Sequence, residues 1–312
     1  MKIGLVGFGT TGKSVAAVLM RNPLVELEWV VRKSPADVDR SAAQCLGLDS
    51  TSAGRMFSTS TLSAGTLLDR WPVDVVIDFS SEDGIDYYGE SCADRGTNIV
   101  SAISHYPIVK QRKLERLSRR TAVLWSPNIT VGVNFLILAA QTLHRIAPGT
   151  DVEIIEEHFK GKSGVSGTAK VISVALGVDE QDIKSIRAGG IIGAHEILFG
   201  LPNQTIRLRH ESISREAFGS GAMFAAERLA GMPPGLYKME DLLVPFFGSR
   251  EWARKPTWRE RVFRIGSLGD SSVRGRSQIE AALKVLGRST VDASVAPSDP
   301  PWSASSRNEG TS

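Results

Sequence analysis

Residues 2–20, KIGLVGFGTTGKSVAAVLM, decide the fold. Lys2 to Val6 read as a short buried strand that runs straight into Gly7-Phe8-Gly9-Thr10-Thr11-Gly12, and KSVAAVLM continues with helical spacing of its apolar residues. The three glycines of G-x-G-x-x-G have separate tasks. The first permits the tight turn, the second lets a pyrophosphate approach the backbone, and the third lets the helix pack close to the strand with its first amides facing the anion. Strand, glycines and helix in that order are the opening unit of a dinucleotide fold, so Gly7, Gly9, Thr10, Thr11 and Gly12 are candidate cofactor residues. The alternative for the glycines alone is a plain tight turn.

The next strand, VELEWVV at 25–31, ends in Arg32-Lys33-Ser34. An NAD-specific site commonly carries an acidic residue here for the ribose hydroxyls, whereas two cations and a hydroxyl suit a 2′-phosphate. Arg32 and Lys33 therefore point to NADPH as the preferred nucleotide with NADH second; the competing reading is a solvated strand end. VDVVIDFS at 73–80 is the nearly all-apolar run of a strand buried in a parallel sheet, followed by a helix near 83–95 and the strand TNIVSAI. Ligands on such sheets lie at the carboxyl ends of the strands, so Phe79, Ser80 and the turn Ser101-Ala102-Ile103-Ser104 should line the cleft, with Asp78 anchoring a turn. TAVLWS at 121–126 leads into Ser126-Pro127-Asn128-Ile129-Thr130-Val131-Gly132-Val133-Asn134, and a helix, FLILAAQTLHRIA, takes over. Asn128 and Asn134 flank the hand-over between two domains, and hinge residues are a second reading of both.

Beyond it, DVEIIEEH at 151–158 is β-like and breaks off into FKGKSGVSGTA. His158 could pass a proton near neutral pH, Lys160 or Lys162 could supply a positive charge, and Ser166-Gly167-Thr168 could grip a carboxylate. AKVISVALG reads as a helix and RAGGIIGAHEILFG as one apolar strand, while QTIRLRHES alternates as a half-buried antiparallel strand does. A helix begins near Arg215 with a glycine-containing break at GSG, and PPGLYKMEDLL is a turn and short helix returning to the first domain. The expected fold is α/β: an N-terminal Rossmann-type doubly wound parallel sheet plus an α+β domain with a largely antiparallel sheet.

At 312 residues the chain can hold two ordinary domains, and its 42% hydrophobic and 23% charged residues describe a globular protein. A formal charge of +3 with no long basic run argues against nucleic acid as a partner. Cys45 and Cys92 lack metal-ligand spacing, so no metal site or disulfide framework is expected and a cytoplasmic setting fits. MKIGLVGFG is broken by glycines and reads as no signal peptide, and no apolar run reaches the roughly 20 residues of a membrane helix.

The glycine loop, VVIDFS, SPNITVGVN, EEHFKGK followed by SGTA, RAGGIIGAHEILFG, IRLRHESISREAF and GLYKMEDLL resemble, in order, the dihydrodipicolinate reductase family over residues 1 to about 246. The resemblance implies a nucleotide domain at 1–127 completed by about 216–246, a substrate and oligomerisation domain at 128–215, and assembly into a tetramer or dimer. It also implies an NAD(P)H-dependent reductase of a small cyclic imine, 4-hydroxy-tetrahydrodipicolinate or a relative. His158 and Lys162 match the family's protonating pair; Phe159, Ser166, Gly167 and Thr168 match its substrate contacts. Ser101, Ala102, Ile103, Ser126, Pro127, Asn128 and Ile129 match segments beside the nicotinamide.

Three departures lie where the family meets its ligands. Phe159 stands where a second histidine is usual, Ser101-Ala102-Ile103-Ser104 replaces Gly-Thr-Thr-Gly, and Gly164-Val165 replaces Asp-Ala-Pro with one residue fewer. The glycine loop is also more compact than the family's commoner form. These changes suggest a smaller, less charged or differently substituted imine, in a paralogue of a specialised pathway. A non-catalytic nucleotide-binding regulator and an amino acid dehydrogenase of the same architecture are the other readings. Residues 247–312 follow as an extension: a basic, tryptophan-bearing stretch, one short helix, and a Pro/Ser-rich end expected to be disordered, serving either to dock on a partner or as a surface appendage.

Overall fold

The computed structural model describes residues 1–38, 40–48 and 54–248; the sequence readings on 249–312 lie outside them. The first half alternates β1 (Lys2–Val6), α1 (Thr10–Arg21), β2 (Glu26–Arg32), α2 (Ala42–Leu46), β3 (Arg55–Ser58), α3 (Ala64–Arg70), β4 (Val75–Asp78), α4 (Gly84–Arg95), β5 (Asn98–Ser101), α5 (Ile108–Leu117) and β6 (Ala122–Trp125). Then come α6 (Val131–Ile146), β7 (Asp151–His158), α7 (Gly167–Leu176), β8 (Lys184–Arg187), β9 (Ala194–Leu201), β10 (Gln204–Glu211), α8 (Glu216–Leu229), β11 (Gly235–Tyr237) and α9 (Met239–Gly248).

Seven parallel strands form one sheet in the order β11-β6-β5-β4-β1-β2-β3. The chain winds outward from β1 in one direction and then restarts at β4 in the other, so a crevice opens between the carboxyl ends of β1 and β4. Both faces of the sheet are covered, which is why β4 is apolar at consecutive positions: Ile3, Leu5 and Ile77 pack with α1 and α8, while Val6 and Val76 pack with Ile85, Tyr88 and Leu114. The second sheet, β10-β9-β7-β8, is antiparallel except for the β7–β8 pair. Ile154, Ile197 and Phe199 on its inner face are buried against Ile137 of α6 and Ile172 of α7. The fold class is the one the sequence implies. Among the described residues no helix is long and apolar enough to cross a membrane.

Two local readings are corrected. RAGGIIGAHEILFG is not one strand: Arg187 ends β8, a turn spans 188–193 with Gly189 at φ 47°, and β9 starts at Ala194. The GSG break in the following helix is absent, since α8 runs unbroken from Glu216 to Leu229. Glycine there costs about 1 kcal/mol per position against alanine in helix propensity. Packing explains the choice, because a Cβ on Gly221 would lie 2.0 Å from the Ile129 carbonyl oxygen and one on Gly219 2.9 Å from Val18. β3 and the three-residue β11 escape sequence reading because runs this short carry no period.

Candidate active site

The candidate nucleotide cleft is built by the glycine loop and the carboxyl end of β4. Gly7 has φ 99°, and a side chain on it would lie 2.6 Å from the Phe79 carbonyl carbon; one on Gly12 would lie 2.2 Å from the Gly7 oxygen. Around Gly9, by contrast, nothing stands within 4 Å of a would-be Cβ, so the loop's outer face is open where α1 presents its first amides. A cavity of about 570 Å³ extends from Gly7 and Gly9 past Phe79 and Ser80 to Arg32, Lys33 and Ser34. A second, of about 380 Å³, shares Phe79 and Ser80 and reaches Thr11, Ala102, Ile103, Pro127 and Ile129. An open glycine loop beside two cavities that share Phe79 and Ser80 in their walls fits an extended dinucleotide. His105, the residue after the turn at 101–104, and Phe218 also line the second cavity.

Some predicted residues face elsewhere. Ser101 is fully buried with its hydroxyl 2.9 Å from that of Tyr106, and Ser126 donates to the Asn128 carbonyl at 2.6 Å. Thr10 is exposed at the start of α1. Asp78 is the turn anchor the sequence suggested: it accepts the Ser80 amide at 2.8 Å, the Ser80 hydroxyl at 2.6 Å and the Tyr88 hydroxyl at 2.8 Å. Burial pushes its pKa up to about 6, against the downward pull of those donors. At the end of β2, Arg32 is already engaged: its Nη1 lies 2.7 Å from Asp37, a residue at φ 67°, with Arg40 3.5 Å away on the same carboxylate.

The second sheet brings the other candidates together. Along β7, Ile154, Glu156 and His158 alternate onto the buried face. Register aligns Ser185, Glu156, His195 and His210 in one row across four strands. Glu156 is wholly buried, and its Oε1 accepts from Ser185 at 2.6 Å and from Arg187 Nη2 at 2.5 Å. Its Oε2 stands 2.5 Å from His158 Nδ1, close but without the alignment of a hydrogen bond. Burial raises the Glu156 pKa, but the Ser185 and Arg187 hydrogen bonds with the nearby positive charge leave it below the usual carboxylate range. His158 is lowered from 6.5, chiefly by burial, with the Glu156 charge pulling it up and Lys162 pushing it down. His195 falls to about 4 through burial, so it is neutral at pH 7. Ser166 Oγ accepts the Ala169 amide at 3.1 Å and lies within hydrogen-bond distance, 2.9 Å, of His195 Nε2.

Of the two lysines, Lys162 is the one whose charge bears on both His158 and His195, while Lys160 is exposed and its amide donates to Gly189. Ser166 caps α7, leaving the Gly167 and Thr168 amides at the helix start without intrahelical partners. Thr168 Oγ1 accepts a 2.8 Å hydrogen bond from Asn128 Nδ2, which joins the segment after β6 to the start of α7. Phe159 is 47% exposed on the loop. Glu156, Arg187 and His195, which gather around His158, are not singled out by the sequence; the available signal is the spacing of Glu156 and His158 on the face that carries Ile154.

Glu156, His158 and His195 have ligand atoms within 4.8 Å of one another, a donor set of the type that holds zinc. Two ligands on one ion, each about 2.0–2.2 Å from it, sit roughly 3 Å or more apart. The 2.5 Å Glu156–His158 contact and the Arg187 guanidinium on the same carboxylate fit a proton there better than a metal ion.

Comparison with known proteins agrees with both halves. Residues 1–129 match the family profile described as dihydrodipicolinate reductase, N-terminus, and residues 132–243 match its C-terminus. The 4-hydroxy-tetrahydrodipicolinate reductase of Halorhodospira halophila is 31% identical over 272 residues, covering 77% of this chain and 98% of the relative. That of Myxococcus xanthus is 30% identical, covering 65% and 85%. Dipicolinate-bound dihydrodipicolinate reductase from Paenisporosarcina sp. TG-14 has the same fold, with a TM-score of 0.64 at 20% identity over 77% of this chain and 98% of that one. An amine dehydrogenase from Mycobacterium smegmatis shares the fold more distantly, at TM-score 0.54 and 12% identity over 77% and 95%. With both parts of the family profile matched in chain order and a relative aligned over nearly its whole length, this chain belongs to the dihydrodipicolinate reductase family of NAD(P)H-dependent oxidoreductases.

Proposed function

We propose that the chain reduces a cyclic imine carboxylate with NADPH, with His158 and Lys162 handling the proton. The observation that carries this reading is the Asn128–Thr168 hydrogen bond, which ties the segment whose Pro127 and Ile129 line the second cavity to a helix start suited to an anion. A bound nicotinamide supplies the hydride. The chain's own residues do the rest. The Gly167 and Thr168 amides and the Thr168 hydroxyl bind a substrate carboxylate at the positive end of α7. Lys162 delivers a proton to the ring nitrogen, because an imine accepts hydride far better once that nitrogen is protonated or hydrogen-bonded. His158 is mainly neutral at pH 7, and its Nε2 lies 3.1 Å from where a Cβ on Gly193 would stand, so only glycine there leaves that nitrogen uncrowded to take up and pass the proton.

Phe159 supports a second reading on substrate. An exposed apolar ring where a relative would offer an imidazole removes a polar contact, and it favours an imine with fewer anionic substituents than the dicarboxylate. Phe159→His is then expected to raise kcat/KM for 4-hydroxy-tetrahydrodipicolinate by about 10-fold, one hydrogen bond to a charged group. A fall in the same parameter would remove the altered-substrate reading.

The choice of NADPH rests on Arg32, Lys33 and Ser34 at the end of the first cavity. Asp37 opposes it by engaging the Arg32 guanidinium in an ion pair, which competes with a 2′-phosphate for that cation. Asp37→Asn, which retains tolerance of the left-handed backbone, is expected to raise the NADPH-to-NADH ratio of kcat/KM about 10-fold. Steady-state kinetics with both nucleotides checks this, and an unchanged ratio would detach Arg32 from cofactor choice.

A further inference from the structure

Arg187 makes contacts that neither proton transfer nor substrate binding uses. Besides its 2.5 Å contact with Glu156, the same Nη2 donates to the Gly164 carbonyl at 2.6 Å and Nε donates to the Lys162 carbonyl at 3.1 Å. One guanidinium thus grips both the carboxylate behind His158 and the backbone of the loop that carries Lys162. The fork suits a planar group with several fixed donors, which lysine cannot reproduce. Ser185, across the β7–β8 pair, completes the hold on Oε1 and leaves Oε2 for His158.

We propose that Glu156 and Arg187 are positioning residues: Glu156 keeps the His158 proton on Nδ1 and its Nε2 free, and Arg187 locks the Lys162–Gly164 loop in register with that imidazole. The proposal rests on the assignment of His158 and Lys162 to proton transfer. Oε2 stands 2.5 Å from Nδ1, off the line of a hydrogen bond, and its negative charge there favours the tautomer that carries the proton on Nδ1. The Lys162 and Gly164 carbonyls of this loop are anchored by a side chain from β8. The charged and titratable groups around the imidazole are Glu156 on its own strand, Arg187 on β8, His195 on β9 with His210 beyond it on β10, and Lys162 on the loop.

The test is the histidine nitrogen NMR spectrum of the full-length protein, with the His158 signal assigned from His158→Gln, together with kinetics. In wild type at pH 8 the His158 ring is expected in the Nδ1–H tautomer; the Nε2–H tautomer would overturn the proposal, and this reading needs no variant to fold. Glu156→Gln is expected to lower the His158 pKa, mix the tautomers and reduce kcat about 100-fold, with KM for NADPH within about twofold. Arg187→Lys keeps the charge and loses the fork. It should leave the His158 pKa near wild type yet reduce kcat about 10-fold, and full activity in this variant would refute the loop-locking role. If wild type holds the Nδ1–H tautomer but turns over no imine, the reductase reading fails while the pairing stands. An active enzyme with the opposite tautomer does the reverse.

Discussion

Lys162→Ala is expected to lower kcat for imine reduction about 10²- to 10⁴-fold, the usual worth of a positioned proton donor, while NADPH binding changes by less than about twofold. The separation follows from where the residue sits. Its loop hangs from β7 and is pinned by Arg187 to β8, both in the second sheet, whereas the nucleotide cavities are lined from the first sheet and the segment after β6. Stability should be little altered, because the Lys162 side chain is only half-buried and its backbone amide bonds to Phe159 in either variant. Lys160→Ala is the matching control: that side chain is exposed, so kcat should hold within about twofold. Equal losses in the two lysine variants would mean the loop contributes general positive charge and no specific donor. Acidity gives the same assignment a second readout. The His158 pKa lies below 6.5, so the ring stays neutral through the neutral range and becomes imidazolium only on acidification. The acid limb of kcat/KM against pH, which reports the free enzyme, should therefore fall below pH 6.5 in wild type.

The second large effect is on the nucleotide. Gly12→Val is expected to weaken NADPH binding by more than about 100-fold and to cost the apoprotein about 1–3 kcal/mol, as overpacking does. A Cβ at this position would lie 2.2 Å from the Gly7 carbonyl oxygen, backbone against backbone, so neither side can yield without moving α1 away from the loop. Moving the helix turns its first amides from the pyrophosphate. Gly9→Ala separates the two consequences: with no atom within 4 Å of its Cβ, it should leave thermal unfolding of the apoprotein unchanged and still obstruct the phosphates. Fluorescence titration and thermal melts of both variants check the pair. Normal NADPH affinity in Gly12→Val would mean that the glycine loop is only a turn.

The sequence made some of this plain and concealed the rest for physical reasons. The βα opening was legible because each glycine does a task that follows from backbone geometry; His158, Lys160 or Lys162, and Ser166 to Thr168 stood out as candidates because a strand pattern stops abruptly at a polar loop, and the choice of Lys162 came from the family resemblance. Glu156 was concealed by its neighbour: Glu156-Glu157 reads as a charged pair at a surface, although Glu157 pairs with Arg209 on the open face while Glu156 is sealed inside. Arg187 and His195 needed register. Nothing local aligns Ser185, Glu156 and His195, because the pairing of β7 with β8 and β9 is set by the tertiary fold. Gly219 and Gly221 misled in the opposite direction, their low helix propensity being overridden by the close approach of α8 to α1 and Ile129. Asp37 could not be weighed at all from sequence, since its opposition to Arg32 depends on a left-handed backbone in a loop.

The central claim is that the cleft and the His158–Lys162 loop together reduce a cyclic imine. It is tested most directly by following NADPH absorbance with purified full-length protein and 4-hydroxy-tetrahydrodipicolinate generated in situ, alongside Lys162→Ala. Substrate-dependent oxidation by wild type, lost in the variant while NADPH still binds, is the predicted result. Tight NADPH binding with no oxidation in the presence of this or any related cyclic imine would contradict it.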